Sequence, residues 1–300
     1  MSLPPNTEQA ESTRVLDFSM RNVQFDVANC NPAAWHPAGL HVTHFFNALS
    51  VRFPEGEKFF INSVRHYRER ITDPALLADI EAFIGQEAMH GRAHRGLNGA
   101  LERAGYGADK MEQELKAQIK RMKMPPLFQL SVTCAAEHFT AIMSAVVLDT
   151  PEILDGVDAE LAAMWRWHAL EETEHKAVAY DVFMSMRKGP VSGYLLRCTM
   201  MVLTSLSFWL NALRNLVRMV HRDGGLGDLR GWGRLARFLF TSPGLFSKMF
   251  RPYMAYFKPG FHPWQGPQPA AFEAVRRDAD LRTASQQAGA YPAPTQKAAA

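Results

Sequence analysis

The stretch that decides how this chain folds is WRWHALEETEHK, residues 165–176. It sets two histidines and three glutamates among tryptophan, alanine and leucine, so a helix here must either expose its charges or bring some of them inside. At 100° per residue, Leu161, Trp165, His168, Glu172, His175, Ala179 and Val182 follow at spacings of three and four. They form one stripe, apolar at both ends and polar in the middle. Glu171 falls roughly 65° from the centre of the stripe and Glu174 further round. The pattern therefore predicts His168, Glu172 and His175 facing inward, Glu171 beside them, and Glu174 and Lys176 in solvent.

Working outward, three other segments repeat the arrangement. Asp73-Pro74 is a helix start, with Asp as N-cap and Pro at the first position. In the helix it opens, predicted over 74–105, Leu76, Ile80, Phe83, Glu87, His90, His94, Leu97 and Leu101 share a face. Glu87 and His90 have the Glu-x-x-His spacing. Pro125-Pro126 opens a helix to about Asp149 in which Leu130, Cys134, Glu137, Ala141 and Ser144 align, leaving room beside Glu137. A shorter helix, 55–71, aligns Glu57 with Phe60, Ile61, Val64 and Tyr67, while Glu55 points elsewhere. The helix carrying the opening stretch is predicted to run from its cap at Asp158 to 187, with two more at 191–221 and 228–257.

Strand signals are nearly absent, so the fold class is all-α. Residues 1–38 read as an irregular N-terminal arm, 39–260 as a helical bundle domain, and 261–300 as a mostly disordered tail. A net charge of +3 with dispersed Lys and Arg excludes a polybasic nucleic-acid surface. Three scattered cysteines, Cys30, Cys134 and Cys198, fit a reducing compartment and no thiolate zinc site. The polar, acidic start MSLPPNTEQAESTR does not read as a secretory signal, and the expectation is a cytoplasmic protein. The charge-free run from Cys198 to Leu213 is 16 residues, short of the roughly 20 a spanning helix needs. Residues 194–213 are expected to form a buried bundle helix, with an interfacial helix on the inner membrane face as the alternative.

Four helices thus bring a carboxylate to the middle of an apolar stripe. Burying unpaired carboxylates costs several kcal/mol each, and no Lys or Arg on these stripes offsets it. Two divalent metal ions would. One Glu from each of two helices plus Glu-x-x-His from each of two others is the ligand set of ferritin-like di-metal carboxylate bundles, and oxygen with imidazole donors suits iron or manganese. His94, one turn beyond His90, and Glu171 are placed outside the ligand set, contacting it, with a place among the ligands as the alternative. His138 lies off its stripe, and His36, His41 and His44 are read as structural.

FPEGEKFF (53–60), FIGQEAMHGRAH (83–94), AAEHFTA (135–141) and WRWHALEETEHKAVAYDVF (165–183) resemble the bacterial family of predicted metal-dependent hydrolases, placed among the ferritin-like di-iron proteins. The resemblance covers about residues 20–260 and implies a ferritin-like four-helix bundle with additional C-terminal helices. His168, Glu172 and His175 are also similar to the pattern of p-aminobenzoate N-oxygenases, which add a third histidine to the usual set. That likeness implies Glu57, Glu87, His90, Glu137, His168, Glu172 and His175 as ligands of two iron ions, manganese or a mixed pair being the alternatives.

The function expected from this set is a di-iron oxidoreductase or oxygenase using O2 and an external electron donor to oxidise a small hydrophobic substrate bordered by Phe60, Phe83, Phe139 and Ile142. A metal-dependent hydrolase acting on an ester or phosphoester through metal-activated water, and a non-catalytic metal-binding bundle, are the alternatives. Peripheral membrane contact through residues 194–213 is expected to accompany a lipid-like substrate. A homodimer stays open.

Overall fold

The computed structural model describes residues 18–289. Most of the first half of the arm and the last residues of the tail lie outside that range. Among the described residues there is no strand, and the architecture is an all-α bundle.

The chain enters as an irregular arm and turns at Gly39 into α1 (Leu40–Ser50), followed by α2 (Phe53–Arg65). Helix α3 (Pro74–Arg103) begins as its sequence dictates: the Asp73 carboxylate accepts from Ala75 N at 2.9 Å, and Pro74 needs no partner for a missing N–H. It ends at Gly105, whose φ of 78° is available to glycine at no steric cost. A short α4 (Ala108–Arg121) leads to α5 (Pro126–Asp149), the central helix, and to α6 (Ala159–Glu174), capped by Asp158 through Glu160 N and Leu161 N. Helix α2 packs on α3 and α5 packs on α6.

These four helices carry the polar stripe between two apolar layers. Ile80, Phe83, Leu130 and Val64 belong to one cluster, with Ala179 and Val182 beyond the opening stretch. Leu97, Phe53, Leu161 and Trp165 belong to the other. The charged middle of each stripe is therefore enclosed from above and below by close-packed side chains, which fixes its rotamers and keeps bulk water away.

The predicted 158–187 helix is in fact two. It stops after Glu174, turns through His175–Ala177 and resumes as α7 (Val178–Met186). Breaking the ladder forfeits a few backbone bonds worth roughly 1 kcal/mol each. In return His175 swings between two buried carboxylates, Glu137 and Glu87, whose unpaired burial would cost more. The 228–257 helix also divides, into α9 (Leu229–Phe240) and α10 (Leu245–Ala255), because Pro243 lacks an N–H and Gly244 takes φ 78°.

Two further expectations fail. Residues 272–287, placed in a disordered tail, form α11 (Phe272–Gln287) with Phe272 buried. The helix packs on α6 and is held by partners far off in sequence: Arg282 donates to Glu160 at 2.6 Å and to Gln24 O at 3.0 Å. Residues 194–213 lie in α8 (Pro190–Arg222), which is long and apolar enough to cross a membrane, as is α5. The most apolar window of α5 is 83% buried, whereas that of α8 is only 22% buried. Helix α8 rests one face on α1 and α5 and presents Leu195, Val202, Leu206, Leu210 and Leu213 to the outside, so the reading of this segment as a core helix does not hold.

Candidate metal centre

The structure brings all seven residues of the expected set together in the polar layer, each almost wholly buried. Glu87, His90, Glu172 and His175 each offer a donor atom within 4.8 Å of the others, and Glu57, His90 and His168 form a second such group. Glu137 joins through His175, whose Nδ1 donates to Glu137 Oε2 at 3.0 Å. His175 Nε2 lies 3.2 Å from Glu87 Oε1. His168 Nε2 donates to Glu172 Oε1 at 3.0 Å, and its ring stacks on His90 with centroids 4.2 Å apart.

Around these groups lies a layer that aims them. His94 Nε2 shares a hydrogen bond of 2.7 Å with His168 Nδ1, and Ser50 Oγ holds His94 Nδ1 at 2.9 Å while donating to Asn98 Oδ1 at 2.8 Å. His94 therefore sits outside the centre and fixes the orientation of His168. Thr140 donates to Glu172 Oε2. His90 Nε2 donates to Glu171 Oε2 at 3.1 Å, leaving Nδ1 turned toward Glu87 and Glu172, 4.0 and 3.8 Å away. Glu171 is thus the carboxylate that orients His90, as a carboxylate does for a metal-bound imidazole.

Two residues expected in solvent are buried. Glu174 is fully enclosed: Arg21 grips it with Nη1 and Nη2 at 2.7 and 2.8 Å, and Gln86 Nε2 donates at 2.8 Å. Arg21 also reaches Glu171 at 3.1 Å. Lys176 is buried with its ammonium 4.2 Å over the Trp264 ring, and burial pulls its pKa down to about 8. Helix phase alone misplaces Glu174 because its partner comes from the irregular arm. Removing Arg21 leaves the buried Glu174 carboxylate with only the more distant Arg276, 3.6 Å away, so Arg21→Ala is expected to cost about 3–5 kcal/mol. Urea unfolding of the metal-free chain measures it; a loss below about 1 kcal/mol would mean that the clasp contributes no more than an exposed ion pair does.

His36, His41, His44 and His138 stay away from the centre. His36 Nε2 donates to Ile153 O, His44 Nε2 pairs with Asp223 at 2.7 Å, His41 packs on Trp232, and His138 Nε2 donates to Pro252 O.

The electrostatics are those of a site built around missing positive charge. Burial, then the charges of Glu172 and Glu137, push the Glu57 carboxyl well above its ordinary range. Burial and four neighbouring carboxylates do the same to Glu87. Burial raises Glu137 to about 7 and Glu171 to about 8, in each case against the pull of a nearby cation. Burial and adjacent imidazoles hold His90 and His94 well below the usual histidine value. In His175 burial is outweighed by Glu137, which lifts it to about 9. For Glu172, burial is outweighed by His168, His175 and Thr140, which keep it low.

Whether the residues fit a metal is decided by their unmade bonds. Both oxygens of Glu57 and of Glu87, one of Glu137, His90 Nδ1 and His175 Nε2 are buried without a hydrogen-bond partner. Buried polar atoms are nearly always satisfied, and here the orphans are all hard oxygen or imidazole donors turned on one another. Divalent cations satisfy them together. Beside the centre, a cavity of about 320 Å³ lies between α2, α4, α5 and α8, with Glu57 and Thr140 in its wall and Phe59, Phe60, Ile119 and Phe139 among its apolar lining. Of the apolar borders expected from sequence, Phe60 and Phe139 line this cavity, Phe83 packs against His175, and Ile142 belongs to the core.

Fold and site together define a helical-bundle metalloprotein. The chain belongs to the family described as predicted metal-dependent hydrolases, whose family model matches residues 19–266. No curated protein and no solved structure matches it.

Proposed function

We propose that the chain is a metal-dependent hydrolase of esters, with an apolar substrate entering through the α2–α4–α5–α8 cavity. The observation that carries this reading is the cluster of unpartnered buried donors opening, at Glu57 and Thr140, onto an apolar cavity. The family's description supports the reaction type. Glu57, Glu87, Glu137 and Glu172 with His90, His168 and His175 would hold the metal ions, which when bound supply Lewis acidity and an acidified water. Glu57 lines the cavity with both carboxylate oxygens free of protein partners, so it is a donor at the boundary between the metal layer and the cavity. Phe59, Phe60 and Phe139 bind the apolar part of the substrate and exclude water. Glu171 accepts from His90 Nε2, which leaves His90 Nδ1 free for a metal ion, and His94 fixes the orientation of the His168 ring.

A second reading, oxidation of the same apolar substrate by O2 with an external electron donor, is favoured by the donor chemistry: carboxylates and imidazoles with no thiolate suit iron or manganese. The two are separated by metal analysis of protein grown with iron and manganese, followed by turnover of p-nitrophenyl esters of graded chain length in ¹⁸O-labelled water with and without air. Hydrolysis predicts label from water in the acid product and equal rates without oxygen. Oxygen uptake coupled to product, with label from O2, would overturn it in favour of oxidation.

A further inference from the structure

One cation in the substrate cavity has no counter-charge. Arg52, the residue preceding α2, lines the same cavity as Glu57 and is 8% exposed. Its Nε is buried without a hydrogen-bond partner, and its guanidinium lies 4.8 Å over the ring of Phe208, another cavity wall residue. Among the described residues no carboxylate pairs with it. Burial, and then the charge of a second cation, Arg214, draw its pKa down to about 10. Every other buried guanidinium at the centre is tied down: Arg21 holds three carboxylates, and Arg197 donates to the carbonyls of Tyr256 and Lys258.

A buried, unpaired guanidinium destabilises the fold unless a partner arrives from outside. The planar fork of Arg matches carboxylate and phosphate oxygens. The rest of the wall is apolar, with Phe59, Phe60, Leu115, Ile119 and Met122 on the α2 and α4 sides. Leu203 of α8 lines the cavity and is also 52% exposed, so the cavity reaches the outer apolar face of that helix. The ligand that completes these features has an alkyl chain for the aromatic wall and an oxyanion for Arg52.

We propose that Arg52 is the anchor for the anionic end of an amphiphilic ligand, an alkyl chain carrying a carboxylate or a phosphate, whose chain lies along the cavity toward the metal centre. This deepens the functional reading above by naming the substrate class, but binding is independent of the reaction performed. The oxyanion lies at the Arg52 end of the cavity and the bond to be cleaved beside Glu57. Arg52 is a binding residue and the metal donors do not include it.

The test is calorimetric titration of the metal-loaded full chain with dodecanoate, dodecyl phosphate and dodecanol. The wild-type protein is expected to bind one or both anions at least tenfold more tightly than the alcohol, and the preferred anion distinguishes a carboxylate from a phosphate source. In Arg52→Met the preference should vanish while dodecanol affinity and metal content stay unchanged, and Arg52→Lys should restore part of it. Because the substitution removes an unpaired buried charge, Arg52→Met should also melt at a higher temperature than wild type when no ligand is present. Equal wild-type affinity for anion and alcohol, or an anion preference that survives Arg52→Met, would overturn the proposal; the second result would place the anion on the metal ions. Loss of thermal stability in Arg52→Met would likewise count against it, by making Arg52 a structural cation. Failure of ester hydrolysis with these binding results intact would remove the hydrolase reading alone.

Discussion

Glu87→Leu is expected to stabilise the metal-free chain and to abolish its metal binding. In the absence of metal the Glu87 carboxylate is buried with neither oxygen hydrogen-bonded, 3.2 Å from His175 Nε2 and within the field of four other carboxylates. Replacing a buried polar group that makes no hydrogen bond by an apolar side chain of similar size removes its desolvation cost, roughly 1–3 kcal/mol. The same change removes a donor from the group formed with His90, Glu172 and His175. Losing a residue that only orients a ligand costs about 10–100-fold in metal affinity, and losing the donor itself should exceed that upper value. Thermal melting after chelation, metal analysis after reloading, and ester turnover give the three readouts. A variant that keeps its metal removes Glu87 from the centre. One that melts lower than the metal-free wild type shows that the carboxylate is structural. His94→Gln, which disturbs only the bond to His168 Nδ1, should stay within the 10–100-fold range.

The second large effect is on pH. The Glu171 carboxyl lies at about 8 in the fold, against an ordinary 4.5. The native state therefore keeps a proton that the unfolded chain has lost across that interval, and stability falls as pH rises through it. Glu57 and Glu87, raised in the same direction, add to the fall. His175, lifted to about 9, loses its contribution as pH climbs through that value. His90 and His94 act oppositely, since they are neutral in the fold and cost stability only as pH drops below their ordinary value of 6.5. The chelated protein should thus be most stable near pH 6 and lose several kcal/mol by pH 9. Metal binding uses the deprotonated carboxylates, so affinity should climb over the same interval and the loaded protein should show little decline. Melting curves of chelated and loaded protein from pH 5 to 9 check this. A chelated protein whose melting temperature rises from pH 6.5 to 9 would contradict the raised carboxylates.

How far these features can be read from sequence follows from whether their causes are local. The caps at Asp73 and Asp158 and the stripes of α2, α3, α5 and α6 are local, and they locate the polar layer and the seven expected donors within it. Glu174 and Lys176 escape such a reading because their partners, Arg21 and Trp264, lie in segments without helical period. The break after Glu174 escapes it too: no proline or glycine stands there, and the pull comes from Glu137 and Glu87 on other helices. Helix α11 is mostly polar and is held by Arg21, Gln24 and Glu160. In α8, composition signals only that the run is apolar. Which side has a neighbour depends on how α1 and α5 are arranged. Arg52 has a sequence neighbourhood like that of many surface arginines, and only the closed cavity around it reveals the unmet charge.

The Arg21 clasp has a consequence for how the protein comes into being. Its guanidinium bonds Asp280 at 2.7 Å across 259 positions of sequence, while gripping Glu171 and Glu174 beneath. In synthesis Arg21 emerges 259 residues ahead of Asp280. The bundle helices and all seven donors are complete by residue 175, more than a hundred residues before the strap over them can be tied. During translation the nascent chain therefore offers its carboxylate-rich layer with the arm not yet fastened by α11, an interval in which cations can reach it directly. With Asp280 in place the arm is fastened over Glu171 and Glu174, so metal exchange in the finished protein is expected to be slower than uptake by a chain that lacks α11.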